Sequence, residues 1–194
     1  MLTEQHLNGW EHIASVFDAA RSDIGSDVVR QWARHLPTGG NVLDLGCGSG
    51  FPISLVLADE GLTVFGVDAS PTLVSMFRRR LGGAHAACAT VQDSDFFGQT
   101  FDGVVAIGLM FLLVEADQRK LIDKVGKALR SGGRFLFSAP RQPCVWADMQ
   151  TGQRSVSLGE IEYRRILTGA GMRLIDTYMD EGGSHYFDAA LCSV

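Results

Sequence analysis

The sequence predicts an α/β protein with a doubly wound, mostly parallel sheet and helices on both faces. Short apolar runs alternate with segments of helical apolar spacing along most of the 194 residues. A glycine-rich turn also follows the first apolar run and leads into a predicted helix. Strands that alternate with helices pair in parallel, because each helix carries the chain back across the sheet. This arrangement is typical of a Rossmann-like fold.

The predicted elements follow one another in a regular order. Two helices come first, separated near residues 22–25 and ended by the Pro-Thr-Gly-Gly segment at 37–40. Seven strands are predicted at 41–45, 63–67, 86–91, 102–107, 134–139, 172–179 and 185–192. Later helices are predicted at 52–60, from Ser70-Pro71 to Arg80, around 121–129, and from a capping box at Ser157–Glu160 to the glycines at 169–171. The last two strands form a hairpin, which places one antiparallel strand at the C-terminus.

The turn after the first strand reads Asp44-Leu45-Gly46-Cys47-Gly48-Ser49-Gly50. A strand, a glycine turn and a helix N-terminus in this order bind nucleotide-like ligands in α/β proteins. Asp44 distinguishes between such ligands, because its carboxylate would repel the pyrophosphate of a dinucleotide such as NAD. The same carboxylate suits the ammonium and sulfonium groups of S-adenosylmethionine. The segment from Val42 to Gly50 closely resembles the first motif of the class I S-adenosylmethionine-dependent methyltransferases.

This resemblance implies that S-adenosylmethionine lies along the carboxyl ends of the strands. Asp68 ends the second strand about 20 residues after the glycines, where a carboxylate binds both ribose hydroxyls. Asp93 follows the third strand, where the family often has an acid that accepts from the adenine amine, and the backbone at 107–109 passes the methionine moiety. Asp68 as an ordinary turn or helix-cap residue, and Asp95 or a solvated loop in place of Asp93, remain open alternatives. The predicted cofactor-binding residues are Asp44, Gly46, Cys47, Gly48, Gly50, Asp68, Ala69, Gln92, Asp93, Ile107, Gly108 and Leu109.

No residue is decisive for catalysis, since in-line methyl transfer needs mainly the positioning of acceptor and methyl group. The weak candidates are His185, Arg141 and Tyr186. His185 has the pKa range of a base, although an exposed histidine in a Gly-Gly-Ser turn is the simpler interpretation. The acceptor pocket is expected between residues 1–40, which form a possible lid, and residues 141–194. These segments carry the polar and aromatic side chains of His12, Phe17, Arg21, Trp146, Asp148, Arg154, Ser155, Asp180 and Glu181.

The composition fits one domain over residues 1–194, with residues 41–140 as its cofactor-binding core. A formal net charge of −5 argues against a nucleic-acid partner. The four cysteines lack paired spacing, so neither a metal site nor a disulfide is predicted, and reduced thiols suit a cytoplasmic protein. The longest apolar run, at 104–114, is too short to span a membrane.

The sequence therefore predicts a methyltransferase that takes the methyl group of S-adenosylmethionine and leaves S-adenosylhomocysteine. The expected acceptor is a small, partly apolar molecule methylated at oxygen, nitrogen or sulfur, and the expected state is a monomer or homodimer. One alternative is a methyltransferase-like protein that binds the cofactor without turnover, or has lost it, and serves in regulation or assembly. A second alternative is an NAD-dependent oxidoreductase, against which Asp44 argues.

Overall fold

The computed structural model describes residues 10–192, apart from the side chains of Trp10 and Phe17. The predicted acceptor-side residue Phe17 and the first part of the possible lid therefore lie outside what is described. The helices are α1 (Trp10–Ala20), α2 (Ser26–Ala33), α3 (Ile53–Asp59), α4 (Pro71–Arg80), α5 (Glu115–Ala128) and α6 (Glu160–Gly169). The strands are β1 (Asn41–Leu45), β2 (Thr63–Asp68), β3 (His85–Cys88), β4 (Phe101–Ala106), β5 (Leu129–Ser138), β6 (Cys144–Ala147), β7 (Arg154–Ser157), β8 (Met172–Met179) and β9 (His185–Leu191).

Seven of these strands form one sheet in the order β3-β2-β1-β4-β5-β9-β8. Strands β1 to β5 pair in parallel, and β9 pairs antiparallel with both β5 and β8. The predicted mostly parallel sheet with an antiparallel C-terminal strand is thereby confirmed. The chain order reverses between the neighbours β1 and β4, so a crevice opens beyond their carboxyl ends.

The central strands are buried on both faces, because helices cover the sheet on both sides. In β1, Leu43 and Leu45 belong to one hydrophobic cluster, which also contains Tyr163 of α6. Val42 points to the other face and packs in a second cluster with Trp32 of α2. Two packed layers therefore hold the ends of β1 and its neighbours in place around the crevice.

A hairpin of β6 and β7 forms a separate two-stranded sheet after β5. The sequence predicts only a long connection there. Most side chains of β6 are exposed, so this strand lacks the alternation of apolar and polar residues by which strands are recognised.

The predicted capping box at Ser157–Glu160 is wrong. Helix α6 has Gly159 at its N-cap, with a φ of 80° and no side-chain cap. Ser157 is instead the last residue of β7, and its hydroxyl donates to the Pro140 carbonyl at 2.6 Å. The Ser157 oxygen accepts at 3.2 Å from the N–H of Gly159, which precedes the helix, and therefore caps no N–H of the first helical turn.

Two predicted strand boundaries also differ from the structure. Strand β3 ends at Cys88, whereas the prediction extends to Val91. Strand β5 begins at Leu129, five residues before the predicted start, and contains the glycines at 132 and 133. The pairing of β4 with β5 shifts register between Phe101 and Gly103, which accommodates this irregular beginning.

Candidate functional site

The turn after β1 is bound to the end of β2 through its main chain. The N–H groups of Gly46 and Cys47 both donate to the Val67 carbonyl, at 2.8 and 3.1 Å. Gly46, Gly48 and Gly50 have φ values of 70°, 54° and 87°, which residues other than glycine rarely adopt. Among the described residues, no atom lies within 4 Å of the position that a Cβ at Gly48 would take. The main chain at Gly48 can therefore be approached closely by a ligand.

The Cys47 side chain points away from this opening. It is buried, and its Sγ would lie 2.8 Å from a Cβ at Gly66 of β2. Burial raises the pKa of its thiol well above the ordinary value, so the sulfur stays protonated. Only the main chain of Cys47 is placed to contact a ligand.

Asp44 places a buried carboxyl at the switch point of the sheet. It is 2% exposed and pairs with Gly66 of β2 on one side and Val105 of β4 on the other. The Ser54 hydroxyl donates to its Oδ2 at 2.5 Å. Burial raises the pKa of Asp44 to about 7, although Ser54 and the Arg21 cation oppose this effect. A cationic group of a ligand would stabilise the charged form of this carboxyl.

Asp68 connects the glycine turn to the beginning of α4. Its two carboxylate oxygens accept from the Gly48 N–H at 2.9 Å and from the Ser70 N–H at 2.8 Å. Burial raises the pKa of Asp68, and these two hydrogen bonds oppose the shift. The N-cap of α4 is Ser70, whose hydroxyl accepts from the Leu73 N–H, so Asp68 is not the helix cap. Ala69 lies between them, and its carbonyl faces the Cys88 thiol at 3.7 Å.

The segment after β3 holds Asp93 at the surface. Its Oδ2 accepts from the Thr90 hydroxyl at 2.9 Å, and its N–H donates to the same hydroxyl at 3.1 Å. Asp95 is used locally, because its carboxylate accepts from the Phe97 N–H at 2.9 Å in a short 3-10 turn. Gln92 is exposed, and its amide donates to Asp117 at 3.3 Å. Both acids are exposed and each makes local hydrogen bonds, so the choice of Asp93 over Asp95 stays a prediction.

The residues after β4 reach back over the glycine turn. The Leu109 side chain lies 3.2 Å from the position of a Cβ at Gly46. Gly108 has a φ of 74°, and its N–H donates to the Ser138 hydroxyl at 2.8 Å. Ile107 packs against the second hydrophobic cluster. Ser138, which the sequence did not single out, thus supports the backbone at 107–109 from the end of β5.

Helix α1 lies along the opposite rim of the site. Glu11 accepts from the Ser70 hydroxyl and, at 2.6 Å, from the Thr72 hydroxyl. Asp18 accepts from Ser49 in the glycine turn and pairs with Arg80 at 3.1 Å. Burial lowers the pKa of the Arg21 guanidinium, and the charges of Asp44, Asp18 and Asp68 oppose this effect. These contacts place α1 beside Asp68 and the glycine turn, and the lid stays a prediction.

The three weak catalytic candidates have different environments. His185 Nε2 is buried and has no hydrogen-bond partner among the described residues. Burial and the Arg141 cation lower the pKa of His185, so its imidazole is neutral at pH 7. Arg141 is exposed and forms an ion pair with Glu160 at 2.6 Å. The buried Tyr186 hydroxyl donates to Asp180 at 2.8 Å, and burial together with this hydrogen bond raises its pKa, which favours a structural role.

Aromatic side chains line the segment beyond Leu109. The rings of Phe111 and Trp146 lie 5.4 Å apart between centroids, and both side chains are half-buried. They join the β6–β7 hairpin to the residues after β4.

Within residues 10–192, no helix is long and apolar enough to cross a membrane, and no three potential metal ligands lie together.

Comparison with known proteins identifies sequence relatives. A model of the methyltransferase-domain family matches residues 42–133. The cypemycin N-terminal methyltransferase of Streptomyces sp. is 35% identical over 173 residues, which cover 82% of this chain and 68% of that protein. A Bacillus subtilis protein named as a methyltransferase is 32% identical over 135 residues, which cover 66% of this chain and 54% of that protein. The chain thus spans about half to two thirds of the length of these curated relatives.

A solved structure shows the same fold. The 1,6-didemethyltoxoflavin-N1-methyltransferase of Burkholderia thailandensis was solved with 1,6-didemethyltoxoflavin and S-adenosylhomocysteine bound. It matches with a TM-score of 0.78 over 98% of this chain and 89% of that chain, at 18% identity. The sequence relatives of the present chain, the strand order of its sheet and its glycine turn after β1 all indicate the same family. The chain belongs to the class I S-adenosylmethionine-dependent methyltransferases.

Proposed function

We propose that this protein transfers the methyl group of S-adenosylmethionine to a small-molecule acceptor. The observation that carries the proposal is the buried Asp44 carboxyl at the switch point, next to a main-chain turn that is open at Gly48. A dinucleotide would bring its pyrophosphate close to this carboxyl, and the two negative charges would repel each other. An amino acid ammonium and a sulfonium are instead attracted to it.

The other predicted residues fit the remaining parts of the cofactor. Asp68 is suited to the ribose hydroxyls, since each of its oxygens keeps a lone pair beyond the hydrogen bond that it accepts. Asp93 is suited to the adenine amine, and the backbone at 107–109 to the methionine moiety. When bound, S-adenosylmethionine supplies a methyl group on a positively charged sulfur, which an acceptor takes by in-line displacement.

The acceptor side supports a small, partly apolar molecule. Phe111 and Trp146 offer aromatic surface close to Leu109, and the formal net charge of −5 disfavours a nucleic acid. The Burkholderia structure has a small molecule bound, and the cypemycin enzyme is named for an N-terminal acceptor. The neutral imidazole of His185 is the candidate base for an acceptor that must lose a proton. The attacking atom, the cytoplasmic location and a monomeric or homodimeric state stay predictions.

Calorimetric titration of the purified chain with S-adenosylmethionine, S-adenosylhomocysteine and NAD tests the cofactor. We expect the first two to bind with dissociation constants on the order of micromolar, and NAD not to bind. Binding of NAD alone would contradict the interpretation of Asp44. If the folded chain bound none of the three, a regulatory or assembly role without the cofactor would become the better explanation.

The Asp68→Asn variant tests the ribose contact in the same titration. Loss of a charged acceptor should weaken S-adenosylhomocysteine binding by about 1.5–3 kcal/mol, or roughly 10- to 150-fold. Asp59→Asn, at an exposed position in α3, is the matched control and should leave the affinity unchanged. Unchanged affinity in a folded Asp68→Asn variant would remove Asp68 from the site.

A further inference from the structure

The segment between β3 and the 3-10 turn is held by one side chain from α5. The Lys124 ammonium donates to the carbonyl oxygens of Val91 and Gln92, at 3.0 Å each, and to that of Ser94. It also lies 4.2 Å from the centre of the Phe96 ring. A lysine ammonium has three N–H donors, and all three are used here on main-chain acceptors of one short segment.

The three carbonyls lie on both sides of Asp93. The Gln92 carbonyl belongs to the peptide group that joins Gln92 to Asp93, and the Ser94 carbonyl lies one residue beyond. Anchoring these groups restricts the main-chain rotations around Asp93 and thus the direction of its side chain. The Thr90 hydroxyl then holds Oδ2 of Asp93, whereas Oδ1 makes no hydrogen bond with any residue between 10 and 192. One carboxylate oxygen is therefore held in a defined direction and is available to a ligand.

Charge supports the same role for Lys124. Asp93 and Asp95 are two residues apart, and the segment also faces Asp117 through Gln92. The Lys124 cation interacts favourably with both Asp93 and Asp95, so it offsets the repulsion between them. An apolar side chain at this position would leave three main-chain acceptors without their partner and two carboxylates without a cation.

We propose that Lys124 is a positioning residue that directs Asp93 toward the amine of the cofactor's adenine, and so determines selectivity for adenine over a 6-oxo purine. The proposal rests on the proposed function, which places the adenine at Asp93. The adenine amine donates to a carboxylate oxygen, whereas a 6-oxo group is an acceptor and is repelled by it. The contact selects adenine only if the carboxylate is held in place, because a mobile Asp93 could turn away from an unfavourable base.

The experiment compares S-adenosylhomocysteine with S-inosylhomocysteine, its 6-oxo analogue, by calorimetric titration. We expect the wild-type chain to bind S-adenosylhomocysteine at least about tenfold more tightly, the ratio for one good hydrogen bond. Lys124→Met keeps the aliphatic stem but removes the N–H donors. The preference of this variant for S-adenosylhomocysteine over S-inosylhomocysteine should therefore fall to roughly two- to threefold, mainly through weaker binding of S-adenosylhomocysteine. Lys127→Met is the matched control on the same helix, since Lys127 is 76% exposed and pairs only with Asp123 among the described residues.

The ratio of the dissociation constants for S-inosylhomocysteine and S-adenosylhomocysteine distinguishes a positioning role of Lys124 from a general effect on stability. A destabilised but folded variant would lose affinity for both nucleosides equally, and an unchanged ratio in Lys124→Met would overturn the proposal. If Lys124→Met does not fold, Lys124→Gln is measured instead. Its side chain is uncharged and one bond shorter, with two N–H donors for three carbonyls, so its ratio should also fall, and an unchanged ratio would again overturn the proposal. A wild-type chain that binds neither nucleoside overturns the proposed function and this inference together. Wild-type binding with an unchanged ratio in the variant overturns the inference alone.

Discussion

At the scale of single residues, Asp44 and Asp68 hold their carboxyl groups in different ways. Asp68 accepts from two main-chain N–H groups, those of Gly48 and Ser70, which oppose but do not outweigh the effect of burial on its pKa. Asp44 has the Ser54 hydroxyl and the nearby Arg21 cation, which do not outweigh the effect of burial on its pKa. A cationic ligand would therefore stabilise the charged form of Asp44, whereas Asp68 stabilises the turn as well as the proposed ribose site.

The raised pKa of Asp44 predicts a pH-dependent stability. Its pKa is about 7 in the folded chain, compared with 3.8 for an ordinary aspartate, so the folded chain binds more protons between these values. The contribution of Asp44 to stability therefore falls as the pH rises through this window, by up to about 1.4 kcal/mol per pH unit. Urea unfolding of Asp44→Asn and wild type at pH 5 and pH 8 should show the variant gaining relative stability at the higher pH. If the free energy of unfolding of the variant minus that of the wild type stays constant or falls from pH 5 to pH 8, the assignment is contradicted.

At the scale of elements, α5 connects the segment around Asp93 to the β6–β7 hairpin and to α6. Its Lys124 holds the segment around Asp93, and its buried Gln118 donates to the carbonyls of Leu113 and Val156, both at 2.9 Å. Gln118 also accepts from the Tyr163 hydroxyl of α6 at 2.8 Å. One helix thus links the segments after β3 and β4 to the β6–β7 hairpin, so its close packing affects both sides of the candidate site.

Gly126 sets how closely α5 approaches the end of α6. A Cβ at this position would lie 2.7 Å from the Ala170 carbonyl oxygen, a main-chain atom that cannot turn aside. We expect Gly126→Ala to lower the free energy of unfolding by about 1–3 kcal/mol, despite the better helix propensity of alanine. Gly169→Ala is the control in α6, since no described atom lies within 4 Å of its Cβ position, and it should be neutral or stabilising. Urea denaturation of both variants measures the difference, and equal effects would argue against the contact.

At the scale of the whole molecule, Asp188 joins the beginning of the described chain to its end. This buried carboxylate of β9 accepts from Trp32 Nε1 of α2 at 3.1 Å and from the Tyr178 hydroxyl of β8 at 3.2 Å. Arg134 of β5 forms an ion pair with it. Burial and the Asp188 charge raise the pKa of Tyr178 to about 12. The N-terminal helices and the C-terminal hairpin are thus fastened to each other next to the core.

Removing the Asp188 charge should therefore destabilise the whole fold. Asp188→Asn leaves the Arg134 cation without its partner, and loss of one member of a buried ion pair costs about 3–5 kcal/mol. Urea unfolding followed by tryptophan fluorescence should show a lower midpoint for this variant. Asp176→Asn, on the exposed part of neighbouring β8, is the control and should change stability by less than about 0.5 kcal/mol. A loss below about 1 kcal/mol in Asp188→Asn would show that the network contributes little.

The amino-acid sequence was sufficient to predict the helices and the seven strands of the main sheet in their order, the parallel pairing, and the acids at the ends of the strands. These features depend on local physics: apolar periodicity distinguishes strand from helix, and the glycines after Asp44 require a turn with positive φ values. Parallel strands bring their carboxyl ends to one edge, so Asp44, Asp68 and Asp93 could be grouped before any contact was known. The roles of these acids in binding stay predictions.

The groups that support that edge come from distant parts of the chain, so they are seen only in the folded structure. The Ser138 hydroxyl beneath Gly108, the Lys124 ammonium around Asp93 and the contacts from α1 join residues far apart in the chain. No local pattern marks such partners, because a serine or lysine on a helix or strand has the same signature whether it meets solvent or a main-chain carbonyl. Ser157 shows the same limit, since its sequence is that of a helix cap but its hydroxyl is bound to the carbonyl of Pro140.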